Sequence, residues 1–551
     1  MRESRLRAAW VCGAMGVLAA CAGHKPPPPS ADIDETGFRD DVRVLASDAF
    51  EGRKPGTSGE EKTVAFLIEQ FKKLGLKPGN GDSYVQQVPL VETLAGSDAT
   101  LAISGRGAVK PLVYAKDMVI WTKRVVPDAA LQQSELVFVG YGIVAPEYEW
   151  NDYSGIDVHG KTVVVLVNDP GYGSKDPKVF KGNAETYYGR WTYKLEEAAR
   201  QGAAGVIIIH DAGAAGYGWN VVVNDRTGPQ LDRAAADDNA GRAVIEGWIS
   251  ADAGRALFAQ AGLDFGATSS AAARPGFKAV SMGLKVNAAV HNSIRRFTSA
   301  NVIAVLPGSK RKNEYVIYSA HWDHLGRQPA QAGGAIFSGA VDNASGVAGL
   351  LMLAQSFTRT QPVADRSIVF VALTAEEAGL LGSAYYVEHP VFALRDTAGV
   401  LNLDTMRIGG PTRDVMVFGY GNSELEEYLG EAALLQGRVV RPDPNPEQGF
   451  YYRSDQFNFA KSGIPALYAS GGIDDSARGP VWGQAQLDDY RAHRYHQPGD
   501  KYSADWDVRG TLDDLRLYYE IGNRLARTRR FPRWYPDSEF HGRHRHPQPA
   551  E

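Results

Sequence analysis

The chain has 551 residues, a formal net charge of -5, and 44% hydrophobic and 22% charged residues; this is too long for one ordinary core, and the composition excludes a fibre or a fully disordered chain. No basic stripe with interleaved aromatic residues runs through the body, so no nucleic-acid partner is expected. The two cysteines, Cys12 and Cys21, both lie near the N-terminus, so the body is expected to hold no internal disulfide.

Arg2, Arg5 and Arg7 precede an apolar run from about Ala8 to Leu18, the pattern of a secretory signal and too short for a membrane span. The run ends Leu18-Ala19-Ala20-Cys21, which resembles the lipobox of bacterial lipoproteins, with an ordinary signal peptide as the alternative. The resemblance implies a lipoprotein signal over 1–21 with lipid on Cys21. Residues 22–30, with four consecutive prolines, form a stiff tether. The expected location is therefore the cell envelope, lipid-anchored on the periplasmic or outer-membrane face, with no membrane contact beyond that anchor.

Residues 31–134 are expected to begin the main body. Thr36 to Leu45 leads to a Gly- and Pro-rich loop at Gly52 to Gly59. A helix should follow: Ser58 and Glu61 fit a capping box, Val64, Leu67, Ile68 and Phe71 share one face, and Gly75 makes a stop. From about Glu135 the texture changes to short β-rich runs, such as Leu136 to Val139 and Thr162 to Asn168, then a short helix at Lys194 to Gln201 and a strand at Gly205 to His210. With the run from Gly202 to Asp211, residues 135–290 resemble the protease-associated domain, a β-rich module inserted in secreted peptidases. No catalytic constellation falls within it, and His159 and His210 are expected to be structural.

Over 291–530 apolar β-type runs alternate with helical patterns, which predicts an α/β fold: a mostly parallel mixed sheet covered by helices on both faces. The expected strands are Tyr315 to Ala320, Ser367 to Leu373, Gly399 to Leu403 and Ile464 to Ala469. Val347, Leu350, Leu351, Ala354 and Phe357 mark a helix between the first two. His321, the pair Glu376 and Glu377, and Asp404 each follow the carboxyl end of one of these strands, where open α/β sheets bind ligands. Asp342 precedes a helix, and His496 lies in a late loop that can reach the same edge.

Taken singly these residues have ordinary explanations: a helix N-cap for Asp342, first-turn acids for Glu376 and Glu377, a structural role for one His. Together, two imidazoles and four carboxylates at one sheet edge are costly without cations. Nitrogen and oxygen donors without thiolate suit zinc ahead of manganese or cobalt.

The segments His321-Trp322-Asp323-His324-Leu325-Gly326, Asp342-Asn343-Ala344-Ser345-Gly346, Glu376-Glu377, Asn402-Leu403-Asp404 and Tyr495-His496-Gln497-Pro498 resemble, in order, the motifs of the secreted co-catalytic zinc peptidases of metallopeptidase family 28, which includes aminopeptidases and glutamate carboxypeptidases. The resemblance implies two Zn2+ ions, one held by His321 and Asp404, the other by Glu377 and His496, with Asp342 bridging. It implies Glu376 as general base toward a hydroxide held between the metals, Asp323 as the carboxylate orienting a ligand imidazole, and Tyr495 as an assisting hydroxyl. His324 is expected to be structural or to support a ligand. Tyr452 to Phe457 resembles a pocket segment of the family, and Thr405 departs from it by standing between Asp404 and Met406.

The implied function is exopeptidase action on a peptide substrate, with an aminopeptidase ahead of a carboxypeptidase or dipeptidase. A single-zinc glutaminyl cyclase and a non-catalytic receptor-like relative are the alternatives, and the complete ligand set disfavours both. Residues 531–551 form a C-terminal tail in which His541 to His546 reads as a disordered terminus ahead of a chelating patch.

Overall fold

A computed structural model describes residues 31–107, 110–328 and 333–543. The expected signal, Cys21, the tether, His544 and His546 lie outside them. Among the described residues no helix is long and apolar enough to cross a membrane.

Two sheets share one strand. Val280–Leu306 is 27 residues long; it pairs with Thr100–Ser104 and Asp128–Phe138 through His291, and with Val85–Ala95 and Arg366–Leu373 from Asn292 onward. Beyond it, Arg366–Leu373, Arg311–His321, Thr397–Asn402 and Ala466–Gly471 run parallel in that spatial order. Asp414–Phe418 is antiparallel to the last of these and Val439–Pro442 closes the edge. The central strands are buried along their whole length, as strands covered on both faces must be. The helices Gly346–Arg359 and Arg509–Arg527 cover one face with Val347, Leu350, Leu351, Leu515 and Leu525, all at most 1% exposed. A separate cluster including Tyr386, Phe457 and Trp534 covers the other.

The second sheet holds Thr162–Leu166, Gly205–Ile209 and Ile245–Ile249 in parallel, with apolar clusters on both faces. It also takes in Thr100–Ser104, Lys110–Leu112 and Met118–Trp121, so the unit starts ahead of the expected boundary at 135. These runs are three to five residues long, too short to show a period in sequence. Gln230–Arg233, from within the same unit, returns to pair with Val85–Ala95 of the first sheet and ties the two bodies together.

Two further expectations shift. The helix at residue 58 is Ser58–Lys73, but its cap is Thr57, whose hydroxyl accepts from the Gly59 amide, and Glu60 rather than Glu61 reaches back, to the Gly56 amide at 2.5 Å. The body also extends past the expected limit at 530: Trp534 and Phe540 are 2% and 1% exposed, and the Trp534 indole donates to Gly463 O at 3.2 Å.

Candidate active site

Parallel register brings the site together. His321 ends its strand opposite Leu373, and Ser319 lies opposite Asn402, two residues before Asp404. Glu376 and Glu377 follow Leu373 in the turn before helix Leu381–Glu388. Asp342 has φ -109° and ψ 93° and stands three residues ahead of Ser345, the N-cap position of helix Gly346–Arg359, so it is not that helix's cap. Its own amide and that of Val341 donate to the Asp500 carboxylate at 3.0 Å each. The Asn343 side chain accepts from Gly346 N at 3.0 Å and Thr405 N at 3.2 Å and donates to Leu403 O at 3.0 Å, locking the Asp342 turn to the Asp404 loop.

The five expected ligands and Glu376 converge. His321 Nε2 lies 3.2 Å from Asp404 Oδ1, 3.3 Å from Asp342 Oδ1 and 4.0 Å from Glu376 Oε2. His496 Nε2 lies 3.2 Å from Asp342 Oδ2 and 2.9 Å from Glu377 Oε2. Asp342 therefore turns one oxygen toward each imidazole, and Glu376 stands farther from His321 Nε2 than Asp404 and Asp342 do.

The electrostatics report crowding. Burial opposes charge on His321, but Glu376 and Asp404 outweigh it and hold the imidazole well above its usual range; burial is likewise outweighed at His496, chiefly by Glu377. Burial would raise Asp342, yet the two imidazoles hold it well below the usual carboxylate range. Glu377, also opposed by burial, is drawn down to about 2 by His496 and other partners including His324. Glu376 goes the other way, held well above its ordinary value by burial, and by Asp404 and Glu377, against the pull of His321. The anionic cluster thus demands positive charge.

A supporting layer fixes each group. His321 Nδ1 donates to Asp323 O at 3.2 Å, which leaves Nε2 free as a ligand atom. The Asp323 carboxylate lies 3.7 Å from the same Nδ1 and accepts from the Glu376 amide at 3.0 Å and the Glu377 amide at 3.4 Å. His324 Nδ1 is 2.6 Å from Glu377 Oε1. Ser454 donates to Asp404 Oδ2, and Thr405 Oγ1 donates to Oδ1 at 3.0 Å. The extra residue Thr405 is accommodated at φ 47° with Met406 N donating to Ser345 Oγ at 3.1 Å, so the departure from the family pattern leaves the ligand geometry intact. Tyr495 stacks on His496 with ring centroids 4.0 Å apart. His159 is exposed and His210 is buried with Nε2 3.0 Å from Tyr217 O; neither joins the cluster.

Sequence reasoning missed the roles of Asp500, two residues beyond the segment Tyr495 to Pro498, and of Ser454, within Tyr452 to Phe457, and missed Arg53 entirely. Arg53 is fully buried beneath the site and donates to four carbonyls, Trp322 O at 2.9 Å, Leu45 O and Ser338 O at 2.7 Å, and Gly339 O at 2.8 Å. Burial pushes it down to about 10 against the support of Asp500, Asp323, Asp342 and Glu377.

The donor set fits divalent cations. The His321 imidazole and carboxylate oxygens crowd into two groups, His321 with Asp342 and Glu377 and His321 with Glu376 and Asp404, within 4.8 Å in each, and among the described residues no thiolate is present. A cavity of about 770 Å³ opens on them between the sheet edge and helix Trp219–Arg226 of the second unit, with apolar walls that include Met416, Phe418, Phe450 and Tyr468. That volume suits a ligand of drug or short-peptide size.

Residues 301–519 match the model of Peptidase family M28. The chain is 25% identical over 513 residues to a probable leucine aminopeptidase 2 of Aspergillus oryzae, covering 89% of this chain and 84% of that protein. It is 39% identical over 103 residues to a probable zinc metalloprotease of Pyrenophora teres f. teres, covering 19% of this chain and 22% of that protein. Relatives with identities of 31–39% are matched over no more than 24% of their own length. Among solved structures, an aminopeptidase from Aneurinibacillus sp. strain AM-1 superposes with a TM-score of 0.51 at 23% identity, covering 91% of this chain and 95% of that one; the α/β architecture is therefore shared.

Proposed function

Because residues 301–519 form a peptidase family M28 domain, we propose that this protein is a zinc-dependent aminopeptidase with two metal positions. The observation that carries the reading is the division of the Asp342 carboxylate, one oxygen facing the His321 and Asp404 side and the other facing the His496 and Glu377 side. The name of the Aspergillus relative supports aminopeptidase action, and that of the Pyrenophora relative supports zinc.

Bound zinc supplies Lewis acidity toward a scissile carbonyl and lowers the pKa of water. The chain's residues do the rest. Glu376 stands nearest the cluster without being drawn to either imidazole as closely as the ligands are, and its high proton affinity suits a group that takes a proton from the attacking water and returns it to the departing amine. Asp323 holds both the Nδ1 side of His321 and the Glu376 amide, coupling ligand and base in one position. Tyr495, half-buried against His496 at the cavity wall, would donate its hydroxyl toward a developing oxyanion.

The test is Glu376→Gln in the full chain, assayed on leucine p-nitroanilide with metal analysis. Turnover should fall by about 10²–10⁴-fold while zinc content stays that of the unmodified protein. Loss of zinc together with activity would make Glu376 a ligand, and unchanged turnover would remove it from the chemistry.

A further inference from the structure

One imidazole at the edge of the cluster is aimed at a ligand rather than offered as one. His324, three residues after His321, is 1% exposed, and its Nδ1 lies 2.6 Å from Glu377 Oε1. An ionised carboxylate only accepts, so Nδ1 carries the proton and donates. Its Nε2 is buried without a hydrogen-bond partner among the described residues, whereas buried polar atoms in a well-packed core are as a rule satisfied. The ring has no room to turn away. The Gly339 backbone lies so close that a Cβ there would stand 2.5 Å from His324 Cγ, and the His496 ring meets it edge to face with centroids 5.8 Å apart.

This contact divides the Glu377 carboxylate. Oε1 is held by His324, and Oε2 faces His496 Nε2 at 2.9 Å. The metal position on that side is then offered three single atoms, His496 Nε2, Asp342 Oδ2 and Glu377 Oε2. Three protein donors leave a tetrahedral zinc one place for water or substrate. A Glu377 released from His324 has two oxygens to present to the same ion, and the second would fill that place.

We propose that His324 is a positioning residue for the hydrolysis: by holding Glu377 Oε1 it makes Glu377 a one-atom ligand and keeps a coordination place open on the His496 side. This rests on the peptidase reading above. It also gives the orphaned Nε2 a reason, since the ring is oriented for Glu377 and not for its own two nitrogens.

The experiment compares the full chain with three variants: His324→Asn, whose amide nitrogen stands near the place of Nδ1; His324→Gln, whose amide reaches toward the place of Nε2; and His324→Leu, which fills volume without donating. Zinc is removed stepwise by a chelator of known affinity, and kcat and KM for leucine p-nitroanilide are measured at saturating zinc. His324→Leu and His324→Gln should weaken one of the two zincs by about 10–100-fold and leave the other as in the parent, with kcat lowered even at saturating zinc. His324→Asn should retain most of that affinity and turnover, in protein whose zinc-free thermal midpoint is that of the parent. The reverse order, His324→Leu matching the parent and His324→Asn weakest, would make the ring a packing element and overturn the proposal. A loss shared equally by both zincs would overturn it too, and either result leaves the peptidase reading standing. A parent chain that binds no zinc and hydrolyses none of the anilide would overturn both.

Discussion

At the scale of single residues, the site is governed by proton and metal competition for the same nitrogens. The neighbouring carboxylates raise the proton affinity of both His321 and His496, and a proton on either imidazole competes with ligation. Zinc affinity should therefore rise with pH and weaken as pH falls, with protons released on binding; titration at pH 6 and pH 8 with an indicator dye checks both. The opposite slope, or no proton release, would contradict these pKa directions. Asp323→Asn should lower zinc affinity by about 10–100-fold, since it removes the charge beside His321 Nδ1, and competition with a chelator of known affinity measures it. His321, Glu377 and Asp404 were legible in sequence because each follows a strand's carboxyl end, whereas Asp342 and His496 were named through the motifs that carry the family resemblance. Asp500 and Ser454 were not assigned, because a carboxylate that accepts two backbone amides and a hydroxyl that props another side chain leave no periodicity.

At the scale of elements, the parallel register of four strands does most of the positioning, and the loops between them are tied from below. Arg53 holds four carbonyls, two of them in the Ser338–Gly339 segment that precedes Asp342. Arg53→Met should destabilise the fold by about 3–5 kcal/mol through orphaned buried carbonyls, read in urea unfolding. It should also lower turnover in the fraction that remains folded. Gly339 has φ 52°, and a Cβ there would come within 2.2 Å of Asp342 O and 2.5 Å of the His324 ring, which explains why glycine stands three residues before Asp342. The four strands expected in the catalytic sheet were readable because each carries a mostly apolar run. The opening strands of the second unit were hidden by their length, and the true cap at Thr57 by the equally plausible Ser58 beside it.

At the scale of the whole molecule, a single 27-residue strand runs through both sheets, Gln230–Arg233 crosses back, and Trp534 packs a segment near the C-terminus against the catalytic body. Trp534→Ala should cost about 3–5 kcal/mol of stability; a thermal midpoint unchanged by the substitution would deny that segment a structural part. The cavity is built from both units, a feature no local sequence pattern encodes, since Arg190 and Arg453, which both line it, lie far apart in the chain. We further propose that lipid on Cys21 holds this assembly at the cell envelope; Cys21→Ala should move the protein from the membrane fraction to the soluble one. The most direct test of the central claim is zinc stoichiometry by mass spectrometry of the full chain and of His321→Ala, Asp404→Ala, His496→Ala and Glu377→Ala. Two ions per chain, falling to about one in each single variant, is the predicted result. A stoichiometry indifferent to all four substitutions would place the metal elsewhere and contradict the account.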